Sequence, residues 1–563
     1  MIDDAPRPQT DIDRVAEEWM GTEVQLEPER RVELGLPGDQ SEYGDLSPDR
    51  FEARREAVTA TLRRLDDASP VDEVDRVTLL ELRRTLRLAL DELAAGVGYR
   101  DLNNIASPAQ AVRMVFDLMP SDTDDDRAAI ARRMANIPAA LGGYLETLRE
   151  GVRRGIVPAR RQVAEVVAQV REYAKPDGFF ATLAVATGSR SGIGAAASLA
   201  VDLERGAAAA QRAYADLADV LARELAPVAA ETDAVGREHY ALASRSFLGA
   251  EIDLDETYEW GLDELARMTG EQEAVANELV PGGTVADAIA RLEGDPSRKL
   301  HGTEALRAWM QETSDRAIDE LGRTHFDITA PMRTLECRIA PTQEGAIYYT
   351  GPNDDFSRPG RMWWSVAPGV TAFDTWRELT TVYHEGVPGH HLQIAHAIAR
   401  KDHLNSWRRN NWTSGHGEGW ALYAERLMAQ LGYLDDPADR LGMLDAQRMR
   451  AARVVLDIGV HLGKRVPASA EIGVAQVWDH DVALEFLRRN VNMPDAFVRF
   501  EVNRYFGWPG QAPSYKVGQR IWEEVRARAE AARGAAFDLR AWHTRALDLG
   551  GVGLDTLRTV VAR

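Results

Sequence analysis

The chain has 563 residues, of which 45% are apolar and 28% charged, the makeup of a folded globular protein and not of a disordered one. Lys and Arg number 67 against 89 Asp and Glu, a net charge of −22 that repels phosphate backbones and argues against a nucleic-acid partner. The single cysteine, Cys337, excludes an intrachain disulfide and a cysteine-based zinc cluster, and it fits a reduced, cytoplasmic setting.

The amino terminus is acidic and polar, without the basic and apolar regions of a secretion signal. No run of 18 apolar residues marks a membrane span. Helical signals then dominate. Apolar residues recur at three- and four-residue spacing, with charges on the opposite faces, over 51–68, 71–95, 126–153, 159–174 and 199–225. The glycine-rich stretch 188–194 lacks the Gly-Lys-Ser/Thr of a phosphate-binding loop and reads as a loop between helices. The helical pattern continues over 254–279, 305–321 and 441–462. Residues 331–370 differ: short aromatic and β-branched runs, bounded by Pro, Gly, Asn and Asp, predict a small sheet in which Cys337 is a core residue. The reading is a helical lobe over 1–330, then a lobe over 331–563 that opens with this sheet.

Four of the 12 histidines fall between 384 and 396: His384, His390, His391 and His396. The pair His384-Glu385 opens the stretch and points to a zinc hydrolase. In the usual arrangement, His-Glu-x-x-His, two imidazoles lie one helical turn apart and reach one tetrahedral zinc, while the glutamate faces the water. Here Pro388 stands where the second histidine would be. On an unbroken helix His390 would lie about 240° around and about 9 Å along from His384, and His391 about two turns away, so neither would share an ion with it. Pro388-Gly389 offers a remedy. Proline removes a helical hydrogen bond, glycine tolerates unusual dihedrals, and a helical bulge absorbs two extra residues. His390 then takes the second ligand's place and His391 points elsewhere, although the opposite choice stays open. Glu418, 28 residues beyond His390, allows for a helix, a loop and a return on an antiparallel helix. It completes a His-His-Glu set with one position left for water. Glu425, seven residues on, shares its helix face and is placed to back a ligand. His416 is a competing ligand.

The segments HEGVPGHHLQ (384–393) and EGWALYAE (418–425) resemble the family known as domain of unknown function 885. So do Gly345-Ala-Ile-Tyr-Tyr, Ser357-Arg-Pro-Gly360 and RYFGWPGQAPSYKVG (504–518). That family is grouped with zinc metallopeptidases and is similar to the thimet oligopeptidase/neurolysin and carboxypeptidase Taq families. The motifs span 340–520; the amino-terminal half matches only in length and helical character. The resemblance implies a mainly α, two-lobed zincin-like (gluzincin) fold with a small sheet beside the active-site helix. It implies zinc held by His384, His390 and Glu418, with Glu385 as general base; His391 and Glu425 are then expected behind the ligands. The departure from the thimet-like pattern is the two-residue insertion before His390. The implied oxyanion donor is a late tyrosine, Tyr515 first and Tyr505 second. An edge strand that binds extended peptide through its main chain maps onto Gly345 to Thr350, with Tyr348 and Tyr349. Arg358, Arg361, Arg504 and Lys516 are the cations available to hold a substrate carboxylate.

The expected activity is zinc-dependent hydrolysis of peptide bonds in short peptides, with no nucleic-acid or membrane partner. One alternative is a zinc amidase or esterase acting on a peptide-like metabolite. Another is a metal-binding protein without catalysis, against which Glu385 argues, because binding alone does not require that carboxylate.

Overall fold

The computed structural model describes residues 6–189, 196–340, 347–470 and 477–561. Helices hold 70% of the protein and the strands are few and short, so the mainly α class expected from the periodicity is the one the chain adopts. Local signals set the helix ends. The helix Asp124–Arg154 starts at a capping box between Thr123 and Asp126 and stops at Gly155, which takes a left-handed conformation (φ 71°). Leu254–Leu279 begins where the Asp253 side chain accepts from two backbone amides. Pro437–His461 begins with Asp436 as cap and Pro437 in the first turn, where a missing N–H leaves no hydrogen bond unmade. No helix among the described residues is long and apolar enough to cross a membrane.

One apolar core gathers residues between Val32 and Ala229, where Asp124–Arg154 packs on Ala196–Val220. Another runs from Tyr240 to Val561 and takes in Val77. Its axis is Pro437–His461, which packs against Leu254–Leu279, Thr375–Glu385, Ser414–Gln430, Asp495–Gly507 and Ser514–Arg533. A helix enclosed in this way has little solvated face. Its buried polar side chains, among them Gln447, Arg453, Asp457 and His461, must find partners inside the protein. That requirement shapes the site described below.

Strand β1 (Lys299–His301) pairs antiparallel with β5 (Ala372–Asp374). A second sheet has the order β2 (Leu335–Ile339), β4 (Gly360–Trp364), β3 (Ile347–Thr350), with β2 parallel and β3 antiparallel to β4. Leu335, Cys337, Met362 and Trp364 alternate into the core, and β3 is left at the edge. The edge strand expected over 345–350 is thus a strand over 347–350, and Gly345 and Ala346 lie outside the described residues. Residues 190–194 of the expected glycine-rich loop also lie outside them. The β1–β5 pair left no sequence signal, because three residues are too few for alternation to show.

Candidate metal centre

The helix Thr375–Glu385 ends on the His384-Glu385 pair. The chain then passes through Gly386, Val387, Pro388 and Gly389 and starts a new helix, His390–Ala399. The bulge expected in one continuous helix is therefore a break between two. Pro388, joined to Val387 by a cis bond, has no N–H to offer a helix. The Gly389 amide turns back to the Tyr383 carbonyl (3.0 Å), and a Cβ at Gly389 would overlap the His384 carbonyl. Trp420 pins the break, its indole N–H donating to the carbonyls of Pro388 (2.9 Å) and Gly389 (3.2 Å). The result brings His390 back to His384, with ring centroids 4.8 Å apart and planes at 86°.

Glu418 arrives on the Ser414–Gln430 helix. Its Oε2 lies 3.4 Å from Nε2 of both His384 and His390. The three ligand atoms lie within 4.8 Å of one another, the one such grouping among the described residues. Two imidazole nitrogens and a carboxylate oxygen at this spacing could hold a zinc-type ion and leave one position for water.

Buried hydrogen bonds decide which nitrogen of His384 faces this cluster. Lys516 Nζ, which can only donate, gives to Gln447 Oε1 (2.6 Å). The Gln447 amide nitrogen is thereby turned to Glu425 Oε2 (3.1 Å). The Glu425 carboxylate accepts His384 Nδ1–H at Oε1 (2.8 Å), so Nε2 is the nitrogen that faces Glu418 and the one that would offer its lone pair to a metal. Lys516 is itself held by Glu264 (2.9 Å) and Gln519 (2.9 Å).

The electrostatics follow from burial and these bonds. Burial opposes charge on His384, but its bonds to Glu418 and Glu425 raise it to about 10. Burial also opposes charge on Glu418, yet hydrogen bonds from His384 and His390 hold it well below the usual carboxylate range. Glu385 differs. Burial pushes its pKa up, His390 and His384 offset this in part, and its Oε2 is enclosed without a hydrogen-bond partner. It is an enclosed carboxylate next in the chain to His384.

The other expected residues divide into those at the centre and those held elsewhere. His391 turns away from Glu418: Tyr349 donates to its Nδ1 (2.9 Å) and its Nε2 donates to the Met332 carbonyl (2.9 Å). Burial drops it to about 4, so it stays neutral and ties edge strand β3 to the His390–Ala399 helix. Tyr348 stacks on Trp363 within the sheet (6.2 Å, 18°). His416 receives the Gln393 amide (3.3 Å) and its ring lies against Trp522 (5.2 Å), outside the cluster. Tyr515, on the first turn of Ser514–Arg533, is half-buried; burial and the charge of Glu418 both push its pKa up. It reaches this position because a Cβ at Gly419 or Gly518 would collide with the facing helix, so only glycine lets the two helices approach so closely.

Tyr505, by contrast, is fully buried, donating to Glu501 (2.5 Å) and accepting from Arg453 (2.7 Å). Arg504 is held by Glu501 (3.1 Å) and Gln511 (2.6 Å), and Arg361 by Glu336 (2.9 Å). Arg358 donates to the Glu33 carbonyl (3.3 Å), and Lys516 belongs to the chain behind His384. Arg361, Arg504 and Lys516 thus have carboxylate partners, whereas Arg358 reaches only a main-chain carbonyl and keeps an enclosed Nε without a partner. Three residues with no motif of their own join the site instead. Gln447 and Arg450 lie on Pro437–His461, where the sequence offers only helical periodicity. Trp412, half exposed, sets its ring 5.6 Å from that of His390, and a side chain at Gly417 would overlap it. An indole six residues before Glu418 was the available signal.

Fold and site together define a mainly helical protein with a buried His-His-Glu cluster built across a broken helix. The family described as "Bacterial protein of unknown function (DUF885)" matches residues 28–561, and the chain belongs to that family. No curated protein matches it. Two solved structures share its fold. One is of a candidate lipoprotein from Colwellia psychrerythraea, with a TM-score of 0.84 and 21% identity over 98% of each chain. The other is of a candidate lipoprotein of unknown function from Shewanella oneidensis, with a TM-score of 0.73 and 16% identity over 99% of this chain and 100% of that one.

Proposed function

We propose that this protein is a zinc-dependent hydrolase of the gluzincin type that cleaves peptide bonds in short peptides, its two lobes being 1–330 and 331–563. The observation that carries the reading is the convergence of His384, His390 and Glu418 within 4.8 Å, with an unpartnered Glu385 beside them. Glu385, Glu418 and Glu425 also concentrate negative charge in one buried place, which a divalent cation would balance.

When bound, zinc supplies a Lewis acid that polarises a carbonyl and acidifies water. His384, His390 and Glu418 would hold it, and Glu425, fixed through Gln447 and Lys516, keeps the proton of His384 on Nδ1. Glu385 accepts the proton of the attacking water on its carboxylate and passes it to the leaving amine; its raised pKa suits both steps. The Tyr515 hydroxyl donates to the carbonyl oxygen as that oxygen becomes negative. Edge strand β3 offers main-chain groups to an extended peptide, and Trp412 offers an apolar wall to one side chain. The cytoplasmic setting belongs to the proposal and rests on cysteine usage.

The test is a random tripeptide library presented to the zinc-loaded chain. Hydrolysis should appear, stop on chelation and return with zinc. A zinc-loaded chain inert towards the whole library would overturn the reading.

A further inference from the structure

Arg450 lies on Pro437–His461 between two residues already placed near the site. Gln447, three residues earlier, holds Glu425, and Arg453, three residues later, sets its guanidinium carbon 5.2 Å from the Tyr515 ring centroid. Three residues on a helix rotate a side chain by about 300° and advance it by about 4.5 Å. Arg450 therefore projects between the Glu425 side of the site and the Tyr515 side. Its positive charge is accordingly felt by Glu385, Glu425 and Tyr515.

The partners of Arg450 set it apart from Arg448 and Arg453, its neighbours on the helix. Arg448 donates to Gln272 and Asn490, and Arg453 to Glu501 and Tyr505. Arg450 is half-buried, yet among the described residues no carboxylate lies within 4.0 Å of it. Its Nε is enclosed without a partner, and Nη1 reaches only the Ala446 carbonyl of its own helix, at 3.3 Å. A guanidinium present only to balance Glu385 or Glu425 would contact one of them. Its Nε has lost water without gaining a partner, and its planar fork matches a carboxylate through two parallel hydrogen bonds.

We propose that Arg450 anchors a free carboxylate of the substrate, so that the site takes short peptides by their carboxy terminus; this rests on the hydrolase reading above. The test compares a random tripeptide library as free acids with the same library as carboxy-terminal amides, on zinc-loaded full-length protein. Wild type should favour acids over amides by about 10²-fold or more in kcat/KM, the scale of one buried charge-assisted pair. Arg450→Met should bring that ratio near one with zinc content unchanged, and Arg450→Lys, which keeps the charge without the fork, should fall between. Equal use of acids and amides by wild type, or an unchanged ratio in both variants, would overturn the inference while leaving the hydrolase reading standing. If wild type cleaves neither library, the hydrolase reading fails, and retention of the two libraries by immobilised protein decides the inference. Selective retention of acids that Arg450→Met or Arg450→Lys abolishes would uphold it, and equal or no retention would end it.

Discussion

Two buried polar clusters meet the Pro437–His461 helix, and they handle their charges differently. In one, Glu501 accepts from Arg453 (2.6 Å), Tyr505 (2.5 Å) and Arg504 (3.1 Å), Arg453 also supplies Tyr505, and Arg504 also supplies Gln511. In the other, two imidazole nitrogens converge on the Glu418 carboxylate, and Glu385 Oε2 and His390 Nδ1 are enclosed with no partner. The first cluster satisfies its carboxylate and its phenol from within, leaving Arg504 Nε as its enclosed atom without a partner. The second holds groups that burial makes costly unless something else joins them. Composition does not separate the two, since both contain glutamates and tyrosines on neighbouring helices. Partner accounting does.

The sharpest way to break this comparison is to remove the unpartnered base. Glu385→Gln keeps the size and removes the proton acceptor. It should retain zinc and lose hydrolysis by about 10²–10⁴-fold in kcat, measured at saturating peptide. An active variant would return Glu385 to the class of scaffold groups.

The two tyrosines sharpen it next. Tyr515→Phe should lower kcat by about 10²–10³-fold with KM nearly constant, the mark of a bond made in the transition state. Tyr505→Phe should do the reverse. It leaves Glu501 and Arg453 short of a partner, so it should destabilise the protein by about 1–3 kcal/mol in thermal or denaturant unfolding while kcat barely moves. An exchange of these outcomes would exchange the roles of the two clusters.

A smaller effect is expected one step behind the metal. Gln447→Leu cuts the link between Lys516 and Glu425 without touching a ligand. Zinc affinity, measured by competition with a chromogenic chelator, should fall by about 10–100-fold. Unchanged affinity would mean that Glu425 orients His384 unaided.

Much of this was legible in the sequence because the signals were local. Helix periodicity, the capping boxes and the turn residues around β2–β4 act within a few residues, so class and most element positions could be read directly. The insertion at Pro388 was visible, but its consequence depended on Trp420 and on the Gly389 backbone folding over His384, contacts that no spacing rule encodes. The surroundings of the four cations assigned to substrate were the hardest to read. Arg361 finds its carboxylate on the neighbouring strand and Lys516 finds one 252 residues away, which neither segment announces, whereas Arg504 pairs with Glu501 only three residues before it. Arg450 was missed for the same reason, since it looks like any other arginine on a helix until its surroundings are known.

Zinc content tests the central claim most directly, measured by plasma mass spectrometry on wild type and on single variants of the four candidate residues. The account predicts about one zinc per wild-type chain, a large loss in His384→Ala, His390→Ala and Glu418→Ala, and retention in His391→Asn. A His391→Asn protein that loses zinc while His390→Ala keeps it, or a wild-type chain that takes up none, would contradict the account.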